Sequence, residues 1–194
     1  MKIYAQFTSN RQEPAHLIWP DSCWLLSDRP LYIPDFAPRF AAIPALAAKA
    51  GRLGKNVAPR FAGRYLTEWT SALIILPQSA IDLLDNGGVP PADQYCFDNA
   101  IVIGNWLLSD EIPPFGLYIS NPRSSDADIS LSIAPDKEPV VRALCDLTRY
   151  NTLKMGDIIM APLPIDPIPL SERLSLRISA GGNRQSHILF TRFR

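Results

Sequence analysis

The chain has 194 residues, 47% hydrophobic and 20% charged, with 19 basic and 19 acidic side chains. That suits one domain with its own core and argues against wholesale disorder. The neutral balance lacks the basic footprint of a nucleic-acid or anionic-membrane binder, and the longest apolar run, residues 72–76, is too short to cross a bilayer. The opening MKIYAQFTSNR has no apolar signal core, so the expectation is a cytoplasmic protein.

Cys23, Cys96 and Cys145 are widely spaced and odd in number, which argues against a disulfide framework. Each sits among apolar neighbours and reads as a buried, unreactive thiol, with no base legible nearby to make it a nucleophile. The 19 prolines are spread along the chain and imply many short elements joined by rigid turns rather than a linker or repeat.

In chain order, short apolar runs at 17–19, 24–26 and 31–33 read as strands, the last bounded by Pro30 and Pro34. Residues 41–50 are ambiguous: their alanines favour helix, while Pro44 and Gly51 limit its length. Residues 59–66 read as a short helix with proline in its first turn. Residues 71–76 suit a buried strand ending before Pro77. Ser79 is placed to cap a brief helix through Asp85, which Gly87 and Gly88 would end. Residues 99–103 read as a strand, 117–120 and 129–133 as a strand pair around a polar loop, and 157–160 as a strand. Residues 138–149 form the clearest helix, with Val140, Val141, Leu144 and Leu147 on one face and Pro139 at its start. Alternation at Leu174, Leu176 and Ile178, and again through 187–191, predicts a hairpin turning at 180–183. The sum is an α+β domain dominated by a sheet, with a few short helices.

Three stretches resemble the fumarylacetoacetate hydrolase family, particularly its short bacterial single-domain members. They are Asp28-Arg29-Pro30-Leu31-Tyr32-Ile33-Pro34-Asp35-Phe36; Gly51-Arg52-Leu53-Gly54-Lys55-Asn56 with Phe61-Ala62-Gly63-Arg64-Tyr65; and Leu153-Lys154-Met155-Gly156-Asp157-Ile158-Ile159. Cys96-Phe97-Asp98 and Val102-Ile103-Gly104 support them in between. The resemblance runs from about residue 15 to the C-terminus. It implies a single domain over 1–194, residues 1–14 being a divergent N-terminal segment, and a mixed β-rich sheet rolled as in that family's C-terminal domain. It also implies a homodimer and metal-assisted hydrolysis or decarboxylation of acylpyruvate-type β-keto acids. It converts 41–50 from the helix of its propensity to a strand, since tertiary context overrides propensity.

That chemistry needs a divalent cation, Mg²⁺ or Mn²⁺ in the family, held by carboxylates. The family's Glu-x-Glu presents both acids on one strand face, because the side-chain period is two, and an aspartate on a neighbouring strand completes the set. By the resemblance, the Glu-x-Glu falls on Ile43-Pro44-Ala45, the aspartate near Ile74, and the family lysine on Tyr95. Every position departs from the pattern, so the expectation is a remnant pocket with neither metal nor catalytic residues. The nearest acids in sequence, Asp35 and Glu68, read as a solvated turn and a helix-end residue.

The family's Thr-Gly-Thr-Pro turn is replaced by Ala161-Pro162-Leu163-Pro164. Its Gly-Arg-Asn-Tyr start is replaced by Phe7-Thr8-Ser9-Asn10 with no histidine in place. The Arg-Gln that contacts product has no clear match, and the chain is shortened between Ile133 and Val140. His16 reads first as a surface or strand residue and second as a displaced general base; His187 reads as a strand residue. The leading expectation is a non-catalytic homologue without cofactor, a structural or regulatory partner of an active paralogue. The alternatives are an enzyme with an altered site, its candidate residues being Tyr95, Arg64, Glu68 and His16, and a small-ligand binding module using the remnant pocket.

Overall fold

In the computed structural model, the described residues are 1–8, 13–25, 29–108, 112, 114–120, 129–171, 174–180 and 185–192, the last stretch and residues 129 and 180 through their backbone alone. In chain order the elements are β1 (Lys2–Phe7), β2 (Ala15–Pro20), β3 (Trp24–Leu25), β4 (Leu31–Ile33), β5 (Phe40–Ala50) and β6 (Leu66–Pro77). Then come α1 (Gln78–Asp85), α2 (Ala92–Tyr95), β7 (Ile101–Ile103), β8 (Phe115–Ser120), β9 (Ile129–Ile133) and α3 (Glu138–Tyr150). The chain closes with β10 (Ile158–Pro162), β11 (Ile168–Pro169), β12 (Ser175–Ala180) and β13 (Gln185–Arg192). One mixed sheet runs β2-β1-β10-β5-β6-β7-β3, with β11 also on β5; a second runs β4-β13-β12-β8-β9.

The centre of the first sheet is the antiparallel β5–β6 ladder, paired from Phe40 with Pro77 to Lys49 with Glu68. Both faces of this ladder are covered. Ala41, Ile43, Ala45 and Ala47 face a core shared with Ala72, Ile74 and α1. Ala42, Leu46 and Ala48 face a core shared with α3 and the second sheet. Burial on two sides selects a continuous apolar run instead of alternation, which is why 41–50 reads as helix by composition yet is strand here. Pro44 fits because its carbonyl accepts from Leu163 N (2.8 Å) on the side where β10 ends and β11 has not yet begun. Its missing N–H faces that same gap.

A second constraint fixes the N-terminus. Asp157 is buried at 2% exposure. Its Oδ1 accepts from Lys2 N (3.0 Å), and its Oδ2 accepts from Lys154 N (2.8 Å) and Lys2 Nζ (2.5 Å). This carboxylate holds the turn before β10 against the start of β1, in parallel register Ile3 with Ile158. Gly156 supplies the positive φ (88°) of the same turn, a conformation open to glycine without a side-chain clash.

Several expectations are corrected. Residues 1–14 do not read as strand from the sequence, yet β1 is an inner strand of the main sheet. The helix expected over 59–66 is a 3-10 turn over Pro59–Arg64, and Leu66 already begins β6. Glu68 is therefore a strand residue and not a helix-end residue. Pro77, not Ser79, precedes the first turn of α1, and no side chain caps it. Asn99 turns with φ of 64°, so β7 begins later than expected. On α3 the fully buried stripe is Val140, Ala143, Leu144 and Leu147, with Val141 half-buried. The strand pair β8–β9 and the hairpin β12–β13 form as expected. Leu26, the polar loop at 121–128 and the hairpin turn at 181–183 lie outside the described residues.

Asp157 anchors two segments from inside the core, so Asp157→Ala should lower unfolding free energy by about 3 kcal/mol in urea titrations, because it strands buried N–H donors. Lys2→Ala should cost about 1 kcal/mol, since its backbone bond to Asp157 remains. Equal losses for the two would contradict this asymmetry.

Candidate functional site

The positions singled out by the family pattern come together. Ile43 and Ala45 share a face of β5, and Ile43 pairs directly with Ile74 on β6. Tyr95 ends α2 and packs on the same apolar cluster. Its ring meets Trp19 edge-on (centroids 5.4 Å), and its carbonyl accepts from Trp19 Nε1 (2.8 Å). Three donor positions converging from two adjacent strands would suit a cation, but these side chains are Ile43 at 6% exposure and Ala45 and Ile74 at 0%.

These residues do not fit a hard divalent ion. Such an ion needs oxygen ligands, and the cluster around Ile43, Ala45 and Ile74 is apolar, with aliphatic neighbours such as Ile101 and the soft thioether of Met160. Burial, then the neighbouring Cys96, pushes the Tyr95 phenol above its ordinary value, which keeps it neutral and a poor anionic ligand. Among the described residues no group of three His, Cys, Asp or Glu side chains could hold a metal.

Beside this cluster lies an open cleft of about 570 Å³. It runs from the end of β1 past α1 to the start of α3, and Ala161–Pro164 forms one wall. Of Ile43, Ala45, Ile74 and Tyr95 only Ile43 borders it. Leu46, Ile81 and Leu84 extend the apolar floor, and Asp85, Asp136 and Arg142 lie at its rim. No sequence motif announces this cleft, because its lining comes from five separate segments.

His16, Glu68 and Arg64 do not converge on this cleft. His16 lies on β2 opposite Gln6, where its Nδ1 is hydrogen-bonded to the Tyr4 hydroxyl and its ring stacks on Tyr4. Gln6 Nε2 in turn donates to Asp146 Oδ2 (2.6 Å). This group faces the α3 side of the sheet, opposite to the side chain of Ile43. Burial, then Asp146 and Tyr150, pushes the Tyr4 phenol up, so it stays protonated.

Glu68 pairs with Lys49 (3.1 Å), whose Nζ also sits over the Trp106 ring, about 20 Å along β6 from Ile74. Arg64 lies over Phe61 in the 3-10 turn at the far end of the β5–β6 ladder. Asp35 is exposed in the bend before β5. His187 falls on β13, in register with Arg177; its side chain lies outside the described residues, as do Ser9 and Asn10.

The thiols hold a feature the sequence spacing hides. Cys23 and Cys96, 73 residues apart, bring their Sγ atoms to 3.8 Å. Burial, then the hydrogen bond and charge of Cys96, pushes the Cys23 thiol up to about 12.

No family model matches the sequence, and no curated protein matches it. Solved structures do. A fumarylpyruvate hydrolase from Pseudomonas aeruginosa, solved with Mn²⁺ and pyruvate, superposes with a TM-score of 0.75 over 100% of this chain and 90% of that one, at 12% identity. A protein from Yersinia pestis CO92, described as of the fumarylacetoacetate hydrolase family, matches with a TM-score of 0.75 over 97% and 91%, at 18% identity. A 2-hydroxyhepta-2,4-diene-1,7-dioate isomerase from Mycobacterium marinum matches with a TM-score of 0.75 over 98% and 74%, at 17% identity. The fold is that of the fumarylacetoacetate hydrolase family, a mixed curled sheet with few helices. Among the described residues no helix is long and apolar enough to cross a membrane.

Two outcomes follow from this packing. Ile74→Asp buries a carboxylate without a partner and should lower stability by about 4 kcal/mol; a loss near zero in urea unfolding would show that the position is wet. The raised Cys23 thiol stabilises the folded chain fully below its ordinary value of 9.0. That contribution is lost as pH rises from there towards about 12, because the unfolded thiol ionises first. The urea midpoint should fall over this window, and Cys23→Ser should fall less steeply. An identical slope in the variant would contradict the assignment.

Proposed function

We propose that the chain is a non-catalytic homologue of the fumarylacetoacetate hydrolase family, one that keeps the rolled sheet and has turned the metal-binding positions into core. The observation that carries this is the shared face of Ile43, Ala45 and Ile74, paired across β5 and β6 and closed to solvent. Polarising a keto acid and stabilising an enolate require a Lewis acid or an equivalent array of donors at that face, and hydrocarbon supplies neither. An altered enzyme built on His16, Arg64, Glu68 and Tyr95 draws no support from geometry, since these four occupy different faces and ends of the sheet.

The cleft beside Ile43 favours a second reading, a small-ligand binding module. Its size and apolar floor with a few polar groups at the rim are those of a ligand pocket.

Calorimetric titration with Mg²⁺ and with Mn²⁺ tests the first reading, with an acylpyruvate hydrolysis assay run at the same metal concentrations. The expected result is no saturable micromolar binding and no turnover above a metal-only control. Stoichiometric micromolar binding, or turnover, sinks the proposal. A β-keto acid that raises the melting temperature without being consumed moves the balance to the binding module.

A further inference from the structure

Two cysteines that the non-catalytic reading leaves unused face each other across a tertiary contact. Cys23 is the last residue of the 3-10 turn Asp21–Cys23 that leads into β3. Cys96 follows α2 and closes it, its N–H bonded to Ala92 O (2.8 Å). Both are free thiols with their sulfurs in contact. Their segments are held together independently of the sulfurs: Trp19 Nε1 bonds the Tyr95 carbonyl, and β3 pairs with β7 at Trp24 and Ile101.

We propose that Cys23 and Cys96 are a redox-interconvertible pair, a dithiol under reducing conditions and a disulfide fastening the start of β3 to the end of α2 in the presence of a peroxide. A disulfide needs the sulfurs at about 2 Å, so each must move by roughly 1 Å through side-chain rotation and small backbone adjustment. Trp24 Nε1, next to Cys23, and Gln94 Oε1, two residues before Cys96, are two of the three buried side-chain polar atoms that lack a partner among the described residues, so neither atom has a hydrogen bond to lose in the shift. The same two sulfurs do not make a metal site, because no third ligand joins them among the described residues.

Access sets the order of events. Cys96 is half-buried while Cys23 is closed off at 2% exposure, so a peroxide meets Cys96 first. The Cys96 sulfur attacks one peroxide oxygen, the O–O bond breaks, and the departing hydroxide takes the Cys96 thiol proton and leaves as water. Cys96 is then a sulfenic acid. Cys23 sulfur attacks that sulfur; the S–S bond forms, the S–O bond breaks, and the Cys23 proton leaves with the hydroxide as a second water. Both thiols are oxidised and one peroxide is reduced to two waters. A small dithiol reverses the bond by exchange.

The test uses the full chain, treated with hydrogen peroxide and then with dithiothreitol. Intact mass should show the loss of two hydrogens from a species that stays monomeric on a non-reducing gel. Peptide mapping should recover one cross-linked peptide joining Cys23 to Cys96, with Cys145 still open to alkylation. The melting temperature should rise by about 5–10 °C, because the cross-link closes a long loop of the unfolded chain, and dithiothreitol should restore the starting values. Cys145→Ser should keep the cross-link and Cys96→Ser should lose it. The map is read on the unaltered chain, so the decision does not depend on how a variant folds. Links through Cys145, links only between chains, over-oxidation of both thiols without a link, or a melting temperature that falls on oxidation would each overturn the proposal.

Discussion

The β5–β6 ladder is covered on both faces, and the rest of the structure is arranged around that constraint. A strand buried on one side can alternate apolar and polar residues. A strand buried on both sides cannot, because any charged group must either find a partner inside or go unsolvated. From Ala41 to Ala48 β5 carries only alanine, isoleucine, proline and leucine, and β6 opposite is apolar from Ala72 to Leu76. Charge begins only where the ladder nears its end, at Lys49 and Glu68, and there the two opposite charges meet each other. The site expected at Ile43, Ala45 and Ile74 lies in the middle of the charge-free stretch.

The apolar filling also has an electrostatic logic. Three carboxylates converging without a cation repel one another, and each is penalised for leaving water. Once the cation is not bound, replacing the acids with aliphatic side chains removes both penalties and adds buried apolar area. The exchange works best when all members change together, since one acid left behind would be a buried charge without a partner. Ile43, Ala45 and Ile74 are consistent with that logic as a set. On the proposed reading, Ala161–Pro164 likewise carries neither the hydroxyls nor the glycine of the family's turn, groups that would have nothing to bind.

Legibility in the sequence follows how local each signal is. The α3 stripe, the apolar runs of β2, β4 and β6, and the alternation of β12 are periodic within a few residues and can be read directly. The strand at β5 needs the family resemblance, because an alanine-rich run has helical propensity and only its neighbours make it a strand. β1 is hidden for a related reason: Lys2–Phe7 is buried at nearly every position, with Tyr4 and Gln6 inside, so period two never shows. Gly156-Asp157 is visible as part of the resemblance, but its partner Lys2 is 155 residues away, and nothing local identifies it. The Cys23–Cys96 contact is invisible in the sequence for the same reason. At the site, residue-by-residue transfer brings Ile43, Ala45, Ile74 and Tyr95 into one cluster, while the cleft beside them, made of five segments, has no linear signature.

The same packing bears on whether an ion could reach this face. Ile43 alone of the three positions reaches the cleft; Ala45 and Ile74 are fully buried, in the cluster that also holds Met160, Ile101 and Ile103. A carboxylate placed at either inner position would need its hydration replaced by the ion, yet the ion would have to shed its own water to pass the apolar floor of Ile43, Leu46, Ile81 and Leu84. The charges that the cleft does carry, Asp85, Asp136 and Arg142, stand at its rim, where water already screens them. On the proposed reading, the obstacle to an ion lies in the approach as well as at Ile43, Ala45 and Ile74, and a change confined to these three positions leaves the approach as closed as before.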